Sequence, residues 1–340
     1  MRRQNSLSRE NVCSNAGGAD TARAVSQRRR KLLAVPAAAL LTPLRGLAQE
    51  RFPSRPIEFV VPWGAGGGAD QLARRVAKLI EPELKVAIPV LNVPGATGNT
   101  GMTKLLSAPA DGHTMAILIG DTLATIAGGA GRWKLADIVP LGIMIRQPSG
   151  LFVKGDSKYK TFTDLLEDSR KNEVKVAILG FASADEILVQ QIVAKGHRFR
   201  MVPFAAPGER YASILGGHAD VLVEQAGDIR SFLDSQQMRP LVFFAESPAP
   251  GFPNVALAKN SGFPTVIQQF RSIVVRAGTD PRHLAVLASV IEKTARSPEF
   301  AKYLADEFAD PNSFVPHGEA MAFLERELKL IEASAPKRSS

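Results

Sequence analysis

Apolar and polar positions follow two alternating periods along most of the chain after residue 50, and they predict strands followed by helices. The segment "RPIEFVVPW" alternates and then becomes apolar throughout, which is typical of a buried strand that ends at a loop. The next segment, "ADQLARRVAKLIEPEL", places apolar residues at helical spacing. A strand over "VAIPVLNV", a helix beginning at "MTKLLSA" and a strand over "HTMAILI" follow. This β-α-β-α-β order predicts a parallel sheet.

The same order begins again near residue 160. The segment "TFTDLLEDSRKN" predicts a helix capped by Thr161 or Thr163, and four further strands alternate with helices as far as "MRPLVFFAES". The extended segments "PLGIMIRQPSGLFVKGDS" and "QQFRSIVVRAGTDP" predict two crossings between domains, and three amphipathic helices end the chain. We therefore predict an α/β fold of two domains, with residues 49–147 and 270–340 in the first and residues 148–269 in the second.

Charge and cysteine content change the picture mainly at the N terminus. Residues 1–48 carry nine basic and two acidic side chains, so they hold +7 of the formal charge of +9. The basic cluster "RRRK", the apolar stretch "LLAVPAAALLTPL" and the final "GLA" predict a signal peptide cleaved after about Ala48 and a periplasmic location. Arg29 and Arg30 also match a twin-arginine signal, and both export routes stay open.

The remaining chain carries only +2, which does not favour nucleic acid as a partner. The one cysteine of the sequence, Cys13, lies in the predicted signal peptide, so we expect no disulfide and no thiolate site in the mature protein. The five histidines lack the spacing of metal ligands and no G-x-S-x-G motif is present, so we expect neither a metal site nor a catalytic residue.

The stretch "VPWGAGGGAD", from Val61 to Asp70, is the first candidate for a binding site. A glycine loop before a helix lets an anion approach the free N–H groups of the first turn. "GAGGGA" also satisfies the G-x-G-x-x-G/A pattern of dinucleotide-binding enzymes, but the second strand ends at "PVLNVPG" without the acid that would hold a ribose. A dinucleotide-binding oxidoreductase and a tight turn without a ligand are the alternatives to a carboxylate site.

An ordered set of segments adds a resemblance to these observations. "FPSRPIEFVVPWGAGGGAD", "NVPGATGNTG", "APADGHTM", "FAAPGERYASILGGHADV" and "RPLVFFAESPAP" together resemble the extracytoplasmic substrate-binding receptors of tripartite tricarboxylate transporters, the Bug-type receptors. The resemblance covers about Phe52 to Ala335. It implies an α/β, two-domain periplasmic-binding-protein fold (type II, flytrap) with a hinge of crossing strands, and no catalytic activity.

The same resemblance implies the partners and the binding residues. The partners are a small organic acid and the membrane components of a transporter, with a sensory binding protein without a transporter as an alternative; we expect a monomer without a cofactor. The ligand carboxylate is expected on two glycine loops, partly through waters, and the other domain closes over it. The sixteen expected ligand-binding residues are Trp63, Gly64, Ala65, Gly66, Gly67, Gly95, Ala96, Gly98, Asn99, Gly120, Asp121, Thr122, Phe181, Ala182, Ser183 and Gln225.

Two acids depart from the family's pattern. "IGDT" places Asp121 in a predicted strand-exit loop, Gly120–Thr122, where the family has a serine- or threonine-rich segment, and "GFASADEIL" places Asp185 at another strand exit. If these acids face the cleft, they disfavour a dicarboxylate and favour a ligand with an amine or a hydroxyl. The two glycine loops themselves contain no lysine or arginine.

Several other side chains have both a binding and a structural interpretation. Trp63 is expected either to form a wall of the pocket or to belong to the core. Asp70 would repel a carboxylate at the start of the first helix, so we expect it to shape the loop. Asn92 and Asn99 are expected either to donate to the ligand or to form turns.

Overall fold

The computed structural model describes residues 51–335, so the predicted signal peptide lies outside the described residues. Two six-stranded sheets contain the strands. The first sheet has the order β12-β4-β11-β3-β1-β2 and consists of β1 (Glu58–Val61), β2 (Val90–Asn92), β3 (Thr114–Ile119), β4 (Ile138–Gln147), β11 (Gln269–Arg276) and β12 (Val315–Pro316). The second has the order β10-β9-β5-β8-β6-β7 and consists of β5 (Ser149–Lys154), β6 (Val174–Ile178), β7 (Phe199–Pro203), β8 (Val221–Gln225), β9 (Met238–Phe244) and β10 (Ala256–Leu257).

The two sheets share one plan, in which an antiparallel strand lies inside a mainly parallel sheet; the two-residue strand β12 adds a second antiparallel strand at the edge of the first sheet. Strand β1 pairs in parallel with β2 and β3, and β6 pairs in parallel with β7 and β8. Strand β11 lies antiparallel between β3 and β4, and β5 lies antiparallel between β8 and β9. Only Pro148 separates β4 from β5, so the chain passes from one sheet to the other in a single residue. The predicted strands and helices occur in the predicted order and both predicted crossings are confirmed, whereas the helix after β3 and the short strands β10 and β12 were not predicted.

Ten α-helices cover the two sheets within residues 51–335. They are α1 (Gly68–Leu84), α2 (Asn99–Ser107), α3 (Gly120–Ala127), α4 (Phe162–Ser169), α5 (Ala184–Val193), α6 (Pro207–Leu215), α7 (Arg230–Asp234), α8 (Pro281–Ala295), α9 (Pro298–Asp306) and α10 (His317–Ser334). None of the helices in this range is both long enough and apolar enough to cross a bilayer. The sheets and the helices packed on them form an α/β fold of two domains, which we call the first and second domain after their sheets.

One predicted helix cap is confirmed, and one predicted loop is replaced by a helix. Thr161 caps α4, because its hydroxyl accepts the Asp164 N–H at 3.1 Å while the Asp164 carboxylate accepts the Thr161 N–H at 2.9 Å. The prediction that Gly120–Thr122 form an exit loop is wrong, since these residues are the first turn of α3. The apolar residues Leu123 and Ala124 are buried there and continue β3 directly into a helix.

Buried apolar side chains fix the position of the first glycine loop. Phe59 and Val61 of β1 are fully buried, as are Leu72 and Val76 of α1. Each such side chain contributes about 1.5 to 3 kcal/mol to folding. These buried side chains therefore anchor the strand and the helix on the two sides of the loop, and the loop itself can contact the second domain.

Candidate functional site

The first glycine loop is held in shape by two side chains. Gly66, at φ +85°, donates its N–H to Asp70 Oδ2 at 3.0 Å. Asn92 Nδ2 donates to Asp70 Oδ1 and to the Trp63 carbonyl, both at 3.0 Å. The prediction that Asp70 shapes the loop is confirmed, and Asn92 has the structural role that was one of its two interpretations.

The loop contacts the second domain where it has no side chains. A Cβ added to Gly67 would lie 2.8 Å from Pro207 Cγ at the start of α6, and one added to Gly64 would lie 3.0 Å from Pro207 Cδ. The distance at Gly67 is too short for a real Cβ contact and the one at Gly64 is unusually tight, so glycine at these positions allows the two domains to approach each other.

A cavity of about 30 Å³ lies behind this contact. Such a volume holds one or two water molecules, and the structure is therefore a closed arrangement without space for an organic acid. Residues from both domains line the cavity. They are Trp63, Gly67, Gly68, Ala69, Ile119, Gln147, Leu179, Pro207, Arg210, Glu224, Gln225, Asp228, Gln269, Phe270 and Arg271.

A buried ion pair joins the two domains at this cavity. Arg271 of β11 donates through Nη2 to both carboxylate oxygens of Asp228, at 2.6 and 2.7 Å, and through Nη1 to Gln147 Oε1 at 2.9 Å. Both charged side chains are only 6% exposed. A Cβ added to Gly68, the first residue of α1, would overlap both Arg271 Nη2 and Asp228 Oδ1. A carboxylate therefore already lies at the N-terminus of α1.

A second buried ion pair lies entirely within the second domain. Glu224 of β8 accepts hydrogen bonds from Arg210 and, at 3.1 Å, from the Tyr211 hydroxyl, while its other oxygen accepts the Gln225 N–H at 3.0 Å. Burial lowers the pKa of Arg210, but Glu224, Tyr211 and Asp185 together raise it more, so Arg210 stays protonated. Arg210 Nε and Nη1 have no hydrogen-bond partner in the described part of the chain.

The two unusual acids face each other across the contact between domains. Asp121, at the start of α3, accepts the Asp185 N–H at 3.3 Å and the Gln269 Nε2 donor at 2.6 Å. Asp185, at the start of α5, accepts the Leu179 N–H at 2.9 Å. Each acid is 1% exposed, and neither lines the cavity. The two strand exits therefore pack on each other in the closed arrangement.

The second glycine loop also belongs to the contact between domains. Thr97 Oγ1 donates to the Phe181 carbonyl at 3.1 Å, and a Cβ added to Gly180 would lie 2.8 Å from Thr97 Oγ1. Asn99 Nδ2 donates to the Ala96 carbonyl at 2.8 Å, which is a turn-forming role. The two loops of the first domain thus meet two different strand exits of the second.

The sixteen residues expected to bind the ligand occupy three kinds of position. Trp63, Gly67 and Gln225 line the cavity, and Trp63 is also packed in the core of the first domain. Residues at or beside the contacts between domains are Gly64, Gly98, Asn99, Gly120, Asp121, Thr122, Ala182 and Ser183. Residues at least partly exposed at the rim are Ala65, Gly66, Gly95, Ala96 and Phe181. Their role in binding a ligand stays a prediction.

The sequence analysis did not identify six polar and charged residues that line the cavity. The missed residues are Gln147, Arg210, Glu224, Asp228, Gln269 and Arg271. A signal for two of them was present, since Arg271 lies inside the apolar strand "QFRSIVVR" and Glu224 inside "VLVEQ". A charge within a buried strand is unfavourable unless it is paired or binds a ligand. A charged residue within an apolar run therefore indicates a candidate site.

The buried acids predict a dependence of stability on pH. Burial raises the pKa of Asp121 and of Asp185, and the neighbouring Asp121 raises that of Asp185 further; burial also raises the pKa of Glu307 to about 7. A raised pKa means that the folded state binds protons that the unfolded state releases. The resulting stability is complete below the unfolded pKa and is lost as the pH rises through the folded pKa. We expect the melting temperature to fall between about pH 5 and pH 8.

The variant Asp185→Asn tests this origin of the pH dependence. Arg210 Nη1 lies 4.0 Å from Asp185 Oδ2, and Asp121 and Glu224 are the acids that act on the same group. An asparagine keeps the acceptor for the Leu179 N–H and removes the titration, so we expect a flatter pH profile and a higher melting temperature near pH 8. The control is Asp168→Asn, because Lys158 holds the pKa of Asp168 at about 2. Equal slopes in wild type and Asp185→Asn would contradict the prediction.

Solved structures of known proteins share this architecture. The periplasmic binding protein BugD superposes with a TM-score of 0.77 at 20% identity, over 83% of this chain and 97% of that chain. MatC from Rhodopseudomonas palustris, solved with bound malate, gives 0.76 at 21% identity over 83% and 99%. A second R. palustris protein, solved with adipate, gives 0.78 at 20% identity over 84% and 97%. At these identities the likeness shows the fold, which is the predicted flytrap fold.

Sequence comparisons show the family. Protein BugT of Bordetella pertussis is 25% identical over 275 residues, which are 78% of this chain and 84% of that protein. The model of the family described as "Tripartite tricarboxylate transporter family receptor" matches residues 72–331, which is most of the chain. The resemblance predicted from the ordered segments is confirmed: the chain belongs to the tripartite tricarboxylate transporter family of Bug-type, solute-binding receptors.

Proposed function

We propose that this receptor captures a small organic acid between its two domains and holds the ligand carboxylate at the N-terminus of α1. The observation that carries the proposal is the position of the Asp228 carboxylate, which lies at that helix end beside Gly68. The first turn offers unpaired N–H groups and a positive dipole end, and the absence of side chains at Gly67 and Gly68 lets a carboxylate approach. Relatives of the same fold bind malate and adipate, which supports a carboxylate ligand.

Binding requires that the cleft opens first. The closed cavity of about 30 Å³ is too small for an organic acid, so the ligand enters an open form and the domains then close over it. We assign residues 49–147 and 270–340 to the first domain and residues 148–269 to the second. The crossings at Pro148 and before Gln269 are the proposed hinge, because they are the places where the chain passes between the sheets.

Delivery and location complete the proposal. We infer that residues 1–48 direct export and are removed after about Ala48, and that the loaded receptor delivers its ligand to the membrane components of a tripartite tricarboxylate transporter. The protein has no catalytic role in this scheme. A dinucleotide-binding oxidoreductase is not favoured, because the chain belongs to a family of receptors. Sensing without a transporter is the remaining alternative for the loaded form.

A thermal-shift screen tests the proposal. The compounds are mono-, di- and tricarboxylates, amino acids, aromatic acids and a nicotinamide dinucleotide. A ligand at about 100 times its Kd stabilises the folded state by about 2.7 kcal/mol, which raises the melting temperature by roughly 4 to 5 °C in a protein of this size. We expect such a shift from at least one acid and none from its uncharged methyl ester. A shift from the dinucleotide alone would contradict the proposal.

A further inference from the structure

Arg271 and Asp228 form the one ion pair among the cavity-lining residues whose two members belong to different domains. Arg271 is on β11 of the first domain and is also held there by Gln147 of β4. Asp228 lies three residues beyond the end of β8, in the second domain. When the domains separate, the cation stays on one side of the cleft and the carboxylate leaves with the other side. The pair of Arg210 and Glu224 cannot separate in this way, since both residues belong to the second domain.

The Arg271 side of the open cleft is suited to a carboxylate. Its Nη2 donates to both oxygens of Asp228 while Nη1 is held by Gln147, and such charge-assisted hydrogen bonds from a guanidinium suit a carboxylate. The N-terminus of α1 adds its dipole at the same point, and Gly68 leaves space there. In the closed form Asp228 occupies the position that a ligand carboxylate would take.

The Asp228 side of the cleft determines what else the ligand needs. A ligand carboxylate that binds Arg271 displaces Asp228 and leaves it facing the ligand in a closed, dry site. An unpaired buried carboxylate is strongly unfavourable, and Glu307 lies close enough to Asp228 for their charges to interact. A protonated amine on the ligand would replace the cation that Asp228 has lost. The two halves of the ion pair are thus complementary to a carboxylate and an ammonium group that lie close together.

We propose that the receptor binds an α-amino acid, with the ligand carboxylate on Arg271 and the ligand ammonium group on Asp228. This inference rests on the proposed function and specifies the class of organic acid. In the ligand-free closed form, Arg271 and Asp228 satisfy each other and hold the cleft shut. Binding therefore exchanges one buried ion pair for two. An amino acid with an uncharged side chain leaves the net charge of the site unchanged.

Matched compounds provide the first arm of the test. The probes are the twenty common amino acids, each compared with the analogue that has a hydroxyl or a hydrogen in place of the amine, such as aspartate with malate and alanine with lactate and propionate. We expect a thermal shift from at least one amino acid and a Kd at least about 30-fold weaker, by calorimetry, for its analogue without an amine. An analogue that binds as tightly as its amino acid overturns the inference and leaves the carboxylate receptor intact. A screen in which no acid of any kind binds overturns both.

Variants provide the second arm and assign the two roles. Asp228→Asn is expected to weaken binding of the amino acid about 30-fold or more. It is expected to strengthen binding of the analogue without an amine, because that analogue then no longer leaves an aspartate buried without a partner. The double variant Asp228→Asn with Arg271→Gln removes both charges of the pair and leaves neither member unpaired, so it is expected to fold, and it should bind neither compound. The control is Asp234→Asn, an exposed acid on α7 that lies outside the cleft, and its affinities should equal the wild type's. Wild-type affinity for the amino acid in the double variant would overturn the assignment.

Discussion

The variant Gly67→Val is expected to lose ligand binding by about 100-fold or more while still unfolding cooperatively. In the closed form an added Cβ at residue 67 lies 2.8 Å from Pro207 Cγ, and the two methyl groups of valine need more space still. The clash exists only when the second domain closes on the loop, so it opposes closure and leaves each domain intact. Overpacking of this kind costs about 1 to 3 kcal/mol or more, and here it raises the free energy of the closed state alone.

Two measurements check this prediction. Calorimetry with the acid found in the thermal-shift screen gives the loss of affinity, and small-angle scattering gives the radius of gyration, which we expect to be larger than for the wild type. The matched control is Gly208→Val, because no atom lies within 4 Å of a Cβ added there, at the exposed start of α6. A Gly67→Val protein that binds as tightly as the wild type would remove this loop from the site.

The variant Arg210→Met is expected to lower the free energy of unfolding by about 3 to 5 kcal/mol. Removal of this guanidinium leaves Glu224 buried, with only the Tyr211 hydroxyl and the Gln225 N–H as donors. Burial already raises the pKa of Glu224 to about 7, so the lost cation makes ionisation there still less favourable. Urea unfolding at neutral pH measures the change.

A second variant and a control separate the charge from the packing. Arg210→Met combined with Glu224→Leu removes both charges, and we expect it to recover most of the lost stability, as apolar replacements of buried ion pairs commonly do. Lys302→Met removes one member of the exposed pair with Asp306 and should change the stability by less than about 1 kcal/mol. If Arg210→Met unfolds at the same urea concentration as the wild type, the buried pair does not stabilise the domain.

Much of the fold could be predicted because local patterns decide it. Alternation in "RPIEFVV" and helical spacing in "ADQLARRVAKLI" identify β1 and α1, and the threonine before "FTDLLEDS" identifies a cap. The role of Asp70 followed from electrostatics alone, since a carboxylate at that helix end repels another. Gly120–Thr122 were assigned to a loop because glycine and aspartate favour turns, and the burial of the following leucine and alanine outweighed that preference.

The pairing of the charged lining residues could not be predicted because it depends on contacts over long sequence distances. Arg271 and Asp228 are 43 residues apart, and no local pattern relates a strand of one domain to a turn of the other. The absence of lysine and arginine from the glycine loops was correct for the loops and misleading for the site. The cation comes from β11, which lies opposite the start of α1 only after the sheet has formed.

The position of β11 also sets an order in which the two domains can assemble. All six strands of the second sheet lie in one continuous stretch, residues 149–257, so that sheet contains everything it needs once this stretch is available. The first sheet lacks a central strand until Gln269–Arg276 inserts between β3 and β4, which until then expose unpaired edges. A chain that is synthesised from its N-terminus therefore completes the sheet of its second domain before that of its first. Arg271 belongs to this inserted strand and also contacts Asp228, so the cleft acquires its shape only after both sheets have formed.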